Sequence, residues 1–199
     1  MHLAVFGGTF DPPHNGHLAL CLFARELLGI DRIIISVSNN PFNQKRDASD
    51  EHRTQMAELL AAEINRNGAC CEVIDWELGT HEPSYTVDLM RSVSERYLPD
   101  KLTLLVGEDS FKEFPAWKEI TTLFALCTIV VFRRPSAEVS TPASWMHREV
   151  LFIDFACQIS STHVRRLLYA SESVSGLVPV PILQYIKQRS LYLRQPHLH

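Results

Sequence analysis

His14 and His17 stand three residues apart, after the glycine pair Gly7-Gly8 and at the edge of an apolar-periodic run. That spacing, at or just before a helix start, puts both imidazoles on one side of the turn, beside the helix's uncovered N–H groups. Gly7 and Gly8 let the backbone turn sharply and bring its N–H groups toward an anion. Pro12 and Pro13 stiffen the loop. Gly16 offers no side chain to obstruct a phosphate. Imidazole donors, backbone donors and the positive helix end together suit a triphosphate. Two other readings of the histidine pair are open: two ligands of a metal whose third ligand is not apparent, and ordinary surface histidines at a helix start. A dinucleotide-binding dehydrogenase is disfavoured, because G-x-G-x-x-G is absent.

A second constellation lies near the other end of the chain, at Ile159-Ser160-Ser161-Thr162-His163-Val164-Arg165. Ser160, Ser161 or Thr162 is suited to cap a helix whose buried side is Val164, Leu167 and Leu168. By itself the segment needs to be no more than that. Uncovered N–H groups, hydroxyls and Arg165 are equally suited to the β- and γ-phosphates of a nucleotide.

The elements that must position these groups alternate in type. Short apolar, β-branched runs predict strands over 3–6, 32–37, 71–76, 102–106, 126–132 and 150–153. Helical periodicity predicts helices over 17–28, 51–64, 85–97, 162–170 and 181–189, with Ser84 as the N-cap of the third. Strands separated by helices give a mostly parallel, doubly wound α/β sheet of Rossmann-like form, with helices on both faces. Ligands of such sheets sit at the carboxyl ends of strands, where strand order reverses. The loops after the first, fourth and last strands are therefore the places to look. One domain over 1–195 is expected, with 196–199 a disordered tail.

Composition narrows the class further. Of 199 residues, 46% are hydrophobic and 21% charged, ample for a core without disulfide staples. The net charge of −4 argues against nucleic acid as a partner. Five cysteines with no C-x-x-C pair fit free thiols in a reducing cytosol better than a disulfide framework or zinc site. No leader segment is apparent, and no window approaches the roughly 20 apolar residues that span a bilayer. The expectation is a cytoplasmic protein with no membrane partner; oligomeric state is not legible.

Gly7-Gly8-Thr9-Phe10-Asp11-Pro12-Pro13-His14-Asn15-Gly16-His17-Leu18 resembles the first signature of the nucleotidyltransferase superfamily, and Ile159 to Arg165 resembles its second. Four further segments resemble the bacterial nicotinate mononucleotide adenylyltransferases: Ser38-Asn39-Asn40-Pro41, Pro83-Ser84-Tyr85-Thr86, Gly107-Glu108-Asp109-Ser110 with Phe114-Pro115-Ala116-Trp117, and Phe132-Arg133-Arg134-Pro135. The resemblance covers residues 3 to about 192. It implies adenylyl transfer from ATP to a pyridine mononucleotide, with Mg2+ as cofactor and no metal held by the protein itself. It also implies His14, His17 and Arg165 as catalytic residues. ATP would be held by Gly8, Thr9, Phe10, Gly16, Gly107, Asp109, Ser161 and Thr162, and the mononucleotide by Asn39, Lys45, Thr86, Trp117 and Arg134. Three of these have an equally plain structural use: Trp117 as a half-buried core aromatic, Asp109 as the cap of a short helix, and Arg133-Arg134 as surface charge. One departure stands out. Where the family carries a Pro-Pro-His-Lys-like run, this chain reads Asn40-Pro41-Phe42-Asn43-Gln44-Lys45-Arg46, without the second proline and the histidine.

Overall fold

Six parallel strands form one sheet in the order β3-β2-β1-β4-β5-β6. The strands are β1 (His2–Gly8), β2 (Arg32–Val37), β3 (Cys71–Ile74), β4 (Lys101–Gly107), β5 (Thr128–Arg133) and β6 (Val150–Asp154). The helices are α1 (Asn15–Leu28), α2 (Asp50–Arg66), α3 (Thr86–Tyr97), α4 (Glu108–Lys112), α5 (Ile120–Leu126), α6 (Ser161–Tyr169) and α7 (Val180–Gln188). This computed structural model describes residues 1–39, 46–68, 70–78, 84–133 and 150–193. Among them, no helix is long and apolar enough to cross a membrane.

Burial on both faces explains the near-continuous apolar strands. Leu3, Val5, Ile34, Leu104 and Ile129 pack into one core with α3 and α5. Ala4, Phe6, Ile33, Ile35 and Val130 pack into the other, with α1, α2, α6 and α7. The period-two alternation along each strand deals side chains to the two layers in turn. Ile33, Ile34 and Ile35 are at most 1% exposed, and each fully buried aliphatic side chain of this size is worth about 1.5–3 kcal/mol.

The chain runs outward from β1 through β2 to β3, then returns to place β4 on the other side of β1. Right-handed crossovers then put α3 and α5 on the face opposite α1 and α2. The strand order reverses between β1 and β4, so the loops leaving those two strands diverge and open a crevice.

Several expected boundaries shift for identifiable reasons. The first helix begins at Asn15 rather than residue 17, with His14 as its N-cap, and ends on left-handed Gly29 (φ 63°), whose N–H reaches Arg25 O. Ser84 does not cap α3; Tyr85 is the N-cap, and the Ser84 hydroxyl is drawn away to Glu77. Residues 126–127 close α5 rather than open β5, which starts at Thr128.

Candidate active site

A cleft of about 640 Å3 opens at the carboxyl ends of β1 and β4, where the strand order reverses. The loop from β1 to α1 forms its floor. There the His14 backbone N–H donates to His17 Nδ1 at 3.1 Å, and the two imidazoles stack with centroids 3.7 Å apart and planes 18° from parallel. Because Nδ1 of His17 accepts a backbone proton, its own proton sits on Nε2, which becomes the ring's donor. Burial pushes His14 down to about 4, and burial with His14 close by holds His17 well below its ordinary value. Both rings are thus neutral at pH 7 in the ligand-free protein. His14 Nδ1 is buried and makes no hydrogen bond within the described residues.

Beneath His17 lies Phe10, 1% exposed, its ring edge-on to both Phe6 and His17. Phe10 holds a positive φ of 49°, so this turn is bent against the usual preference of a bulky residue. Its ring supports the imidazole from below and does not line the cleft. Gly16 has a steric role of its own. A Cβ there would stand 2.6 Å from Cys157 Sγ and 2.9 Å from His14 Nδ1, so only glycine lets the loop after β6 close on the start of α1.

The two motifs, far apart in the chain, bind each other directly. Ser161 Oγ donates to Pro12 O at 2.9 Å, and Arg165 Nη1 donates to Asp11 O at 2.6 Å. Ser160 is the N-cap of α6, its hydroxyl accepting from His163 N. His14, Gly16, His17, Ser160 and Ser161 line the same cleft. Arg165 and Thr162 do not: Arg165 also pairs through Nε with Asp47 at 2.5 Å, and Thr162 is exposed.

The other expected site residues divide in the same way. Gly8, Thr9, Gly107, Asp109, Thr86 and Trp117 all line the cleft. Gly107 occupies the N-cap position of α4, and Asp109 lies inside that helix with its side chain 86% exposed. Trp117 is partly buried. Its ring packs 4.2 Å from Phe114 against the second core, while it also borders the cleft. Asn39 is turned aside; its N–H donates to Glu77 and its Oδ1 accepts from Arg46. Lys45 and Arg134 lie outside the described residues. The neighbouring Arg133 borders the cleft, paired with Asp154 at 2.7 Å.

Sequence reasoning missed the buried polar groups that hold these loops. The Asp11 carboxylate, 3% exposed, accepts from Asp47 N, Ala48 N and the Tyr192 hydroxyl. Arg53, fully buried, donates to Thr9 O and Ser38 O, joining the ends of β1 and β2 from the side of α2. Glu77, in the turn after β3, is another such group, and it borders the cleft. The acid at Asp11 inside the first motif was the one available signal. Arg53 and Glu77 carried none.

The chain matches the Cytidylyltransferase-like family over residues 5–167. A protein of Pelodictyon phaeoclathratiforme named "Probable nicotinate-nucleotide adenylyltransferase" is 56% identical over 99% of this chain and 94% of its own length. One of the same name from Chlorobium luteolum is 53% identical over 96% of this chain and 98% of its own. A solved Plasmodium falciparum nicotinic acid mononucleotide adenylyltransferase, complexed with NaAD, superposes with a TM-score of 0.78 at 18% identity, covering 96% of this chain and 97% of that one. That structural likeness establishes the Rossmann-like fold, and the near full-length sequence identity goes further: the chain belongs to the nicotinate-nucleotide adenylyltransferase family.

Proposed function

We propose that this chain transfers the adenylyl group of ATP to nicotinate mononucleotide, giving nicotinate adenine dinucleotide and pyrophosphate. The observation that carries the reading is the joining of both motifs around one cleft: neutral, stacked His14 and His17 on its floor, and the Ser160–Ser161 start of α6 beside them. The names of its relatives support nicotinate mononucleotide as the acceptor.

The acceptor's 5′-phosphate is already an anion at neutral pH, so the reaction needs no protein nucleophile and no general base. An oxygen of that phosphate bonds to the α-phosphorus of ATP, and the bond from α-phosphorus to the bridging oxygen breaks. Pyrophosphate leaves with the electron pair. What remains for the protein is alignment and charge stabilisation. His17, its Nδ1 occupied by the His14 backbone, would donate from Nε2 to the reacting phosphates. Ser160 and Ser161, with the start of α6, would hold the far phosphates. Arg165 would act from behind the cleft wall through the Asp11 loop.

ATP would bring Mg2+ with it, an ion that offsets phosphate charge when bound. Among the described residues no group of three or more His, Cys, Asp or Glu could hold a metal. In this reading the ion would arrive with the triphosphate, whose oxygens would supply part of its coordination, as is common for Mg2+.

Incubation with ATP, Mg2+ and either nicotinate or nicotinamide mononucleotide, followed by detection of dinucleotide and pyrophosphate, tests the reading. Dinucleotide formed from nicotinate mononucleotide supports it. Product from the nicotinamide form alone replaces the acceptor, and nucleotide binding without pyrophosphate release replaces catalysis with sensing. His17→Ala should lower turnover about a hundredfold or more, the scale of losing a positioned donor.

A further inference from the structure

Glu77 belongs to neither motif, yet its carboxylate is 5% exposed at the rim of the cleft and gathers three donors from two separate segments. Oε1 accepts from Ser36 Oγ at 2.8 Å, inside β2. Oε2 accepts from Ser84 Oγ at 2.7 Å, immediately before α3, and from Asn39 N at 3.3 Å, just past β2. Ser36 is 0% and Ser84 7% exposed, so their hydroxyls depend on protein partners rather than on water. A carboxylate accepts at two oxygens with about four lone-pair sites, and bonds to it are stronger than neutral ones. Few other side chains satisfy three donors from one point.

We infer that Glu77 is a positioning residue that fixes the start of α3 against the end of β2, and through it sets the binding of the pyridine mononucleotide rather than of ATP. The inference rests on the proposed acceptor. The sheet order supports the division of labour. Glu77 follows β3, at one edge of the sheet, whereas Ser160 and Ser161 follow β6, at the other. Ser84 leads directly into Tyr85 and Thr86, which border the cleft beside Glu77. Moving Ser84 therefore moves backbone that borders the cleft, while the His14–His17 loop has further ties of its own through Asp11 and Arg53, which Glu77 does not touch.

Steady-state kinetics on purified full-length protein test this, with each substrate varied in turn. Glu77→Gln keeps the shape but removes the charge and leaves one accepting oxygen in place of two, weakening the hold on the Ser84 hydroxyl and the Asn39 N–H. KM for nicotinate mononucleotide should rise about tenfold or more, as for loss of a bond to a charged acceptor. KM for ATP should stay within about twofold, a difference below the worth of one hydrogen bond. Ser84→Ala, a milder change, should show the same split at smaller size, and the double variant should add little to Glu77→Gln alone. Equal rises in both KM values, or a lowered Tm with both KM values unchanged, overturn the inference and leave Glu77 a purely structural acid. If the unaltered protein forms dinucleotide, that failure belongs to Glu77 alone. If it forms none with any pyridine mononucleotide, the acceptor reading fails first and takes this inference with it.

Discussion

The hydroxyl of Tyr192 donates to the carboxylate of Asp11 at 2.6 Å, across 181 residues of chain. Burial, with Asp11 beside it, pushes the tyrosine hydroxyl well above its ordinary value, so it remains a donor at every working pH. The same carboxylate holds the N–H groups of Asp47 and Ala48, at the approach to α2. One acid in the first motif thereby pins the last described turn of the chain and the approach to α2 to the loop between β1 and α1.

Tyr192→Phe removes one of those three donors and leaves a buried carboxylate oxygen short of a partner. Stability should fall by about 1.5–3 kcal/mol, the range for hydrogen bonds to charged groups. Urea unfolding of the two proteins measures it. An unchanged midpoint would show that this tie contributes nothing.

Gly16→Ala sets two effects against each other. Alanine within a helix gains roughly 0.5–1 kcal/mol over glycine. The added methyl would meet Cys157 Sγ at 2.6 Å and His14 Nδ1 at 2.9 Å, and such overpacking costs about 1–3 kcal/mol. The clash wins, so both Tm and turnover should fall. Cys157→Ala in the same chain should recover part of the Tm and little of the turnover, because the contact with His14 persists. A Gly16→Ala protein of full stability and activity would contradict the close packing described here.

His14 predicts a specific acid sensitivity. Its folded pKa, pushed down by burial to about 4, lies below the ordinary 6.5 of an unfolded chain. Between those values the unfolded chain binds a proton that the folded chain refuses, so stability is lost as pH falls from 6.5 toward 4. Above 6.5 the contribution is fully present and constant. The loss is on the order of 3 kcal/mol for this one ring. His14→Asn, which retains an N-cap residue, should flatten the dependence in that window; an identical slope in both proteins would remove His14 as its source.

Arg165→Ala should lower stability as well as turnover. The guanidinium ties the carbonyl of Asp11 and the carboxylate of Asp47, with its own side chain 20% exposed. Losing both should cost about 1.5–3 kcal/mol. Asp47→Asn should give a smaller stability loss of the same kind. Activity lost at unchanged stability would mean that Arg165 acts on the phosphates without holding the loop.

Much of the architecture could be read from the chain alone, because the signals are local. The apolar Ile33-Ile34-Ile35 run marks a strand buried on both faces, and β2 occupies Arg32–Val37 as expected. The glycines and prolines around His14 and His17 mark a turn into a helix, and the alternation of strands with helices already implies a parallel sheet. α4 and α5, of five and seven residues, escaped because so short a helix shows fewer than two full periods.

Sequence alone determined the strand-and-helix order and the two motifs, since steric preference and hydrophobic periodicity are written in neighbouring residues. Only the tertiary structure decided that Ser84 serves Glu77 instead of capping α3, that Arg165 faces Asp11 and Asp47, and that Gly16 is required by Cys157. The reason is physical. A buried polar group takes whichever partner the packed layers bring within about 3 Å, and that partner stands many residues away, where no local pattern announces it.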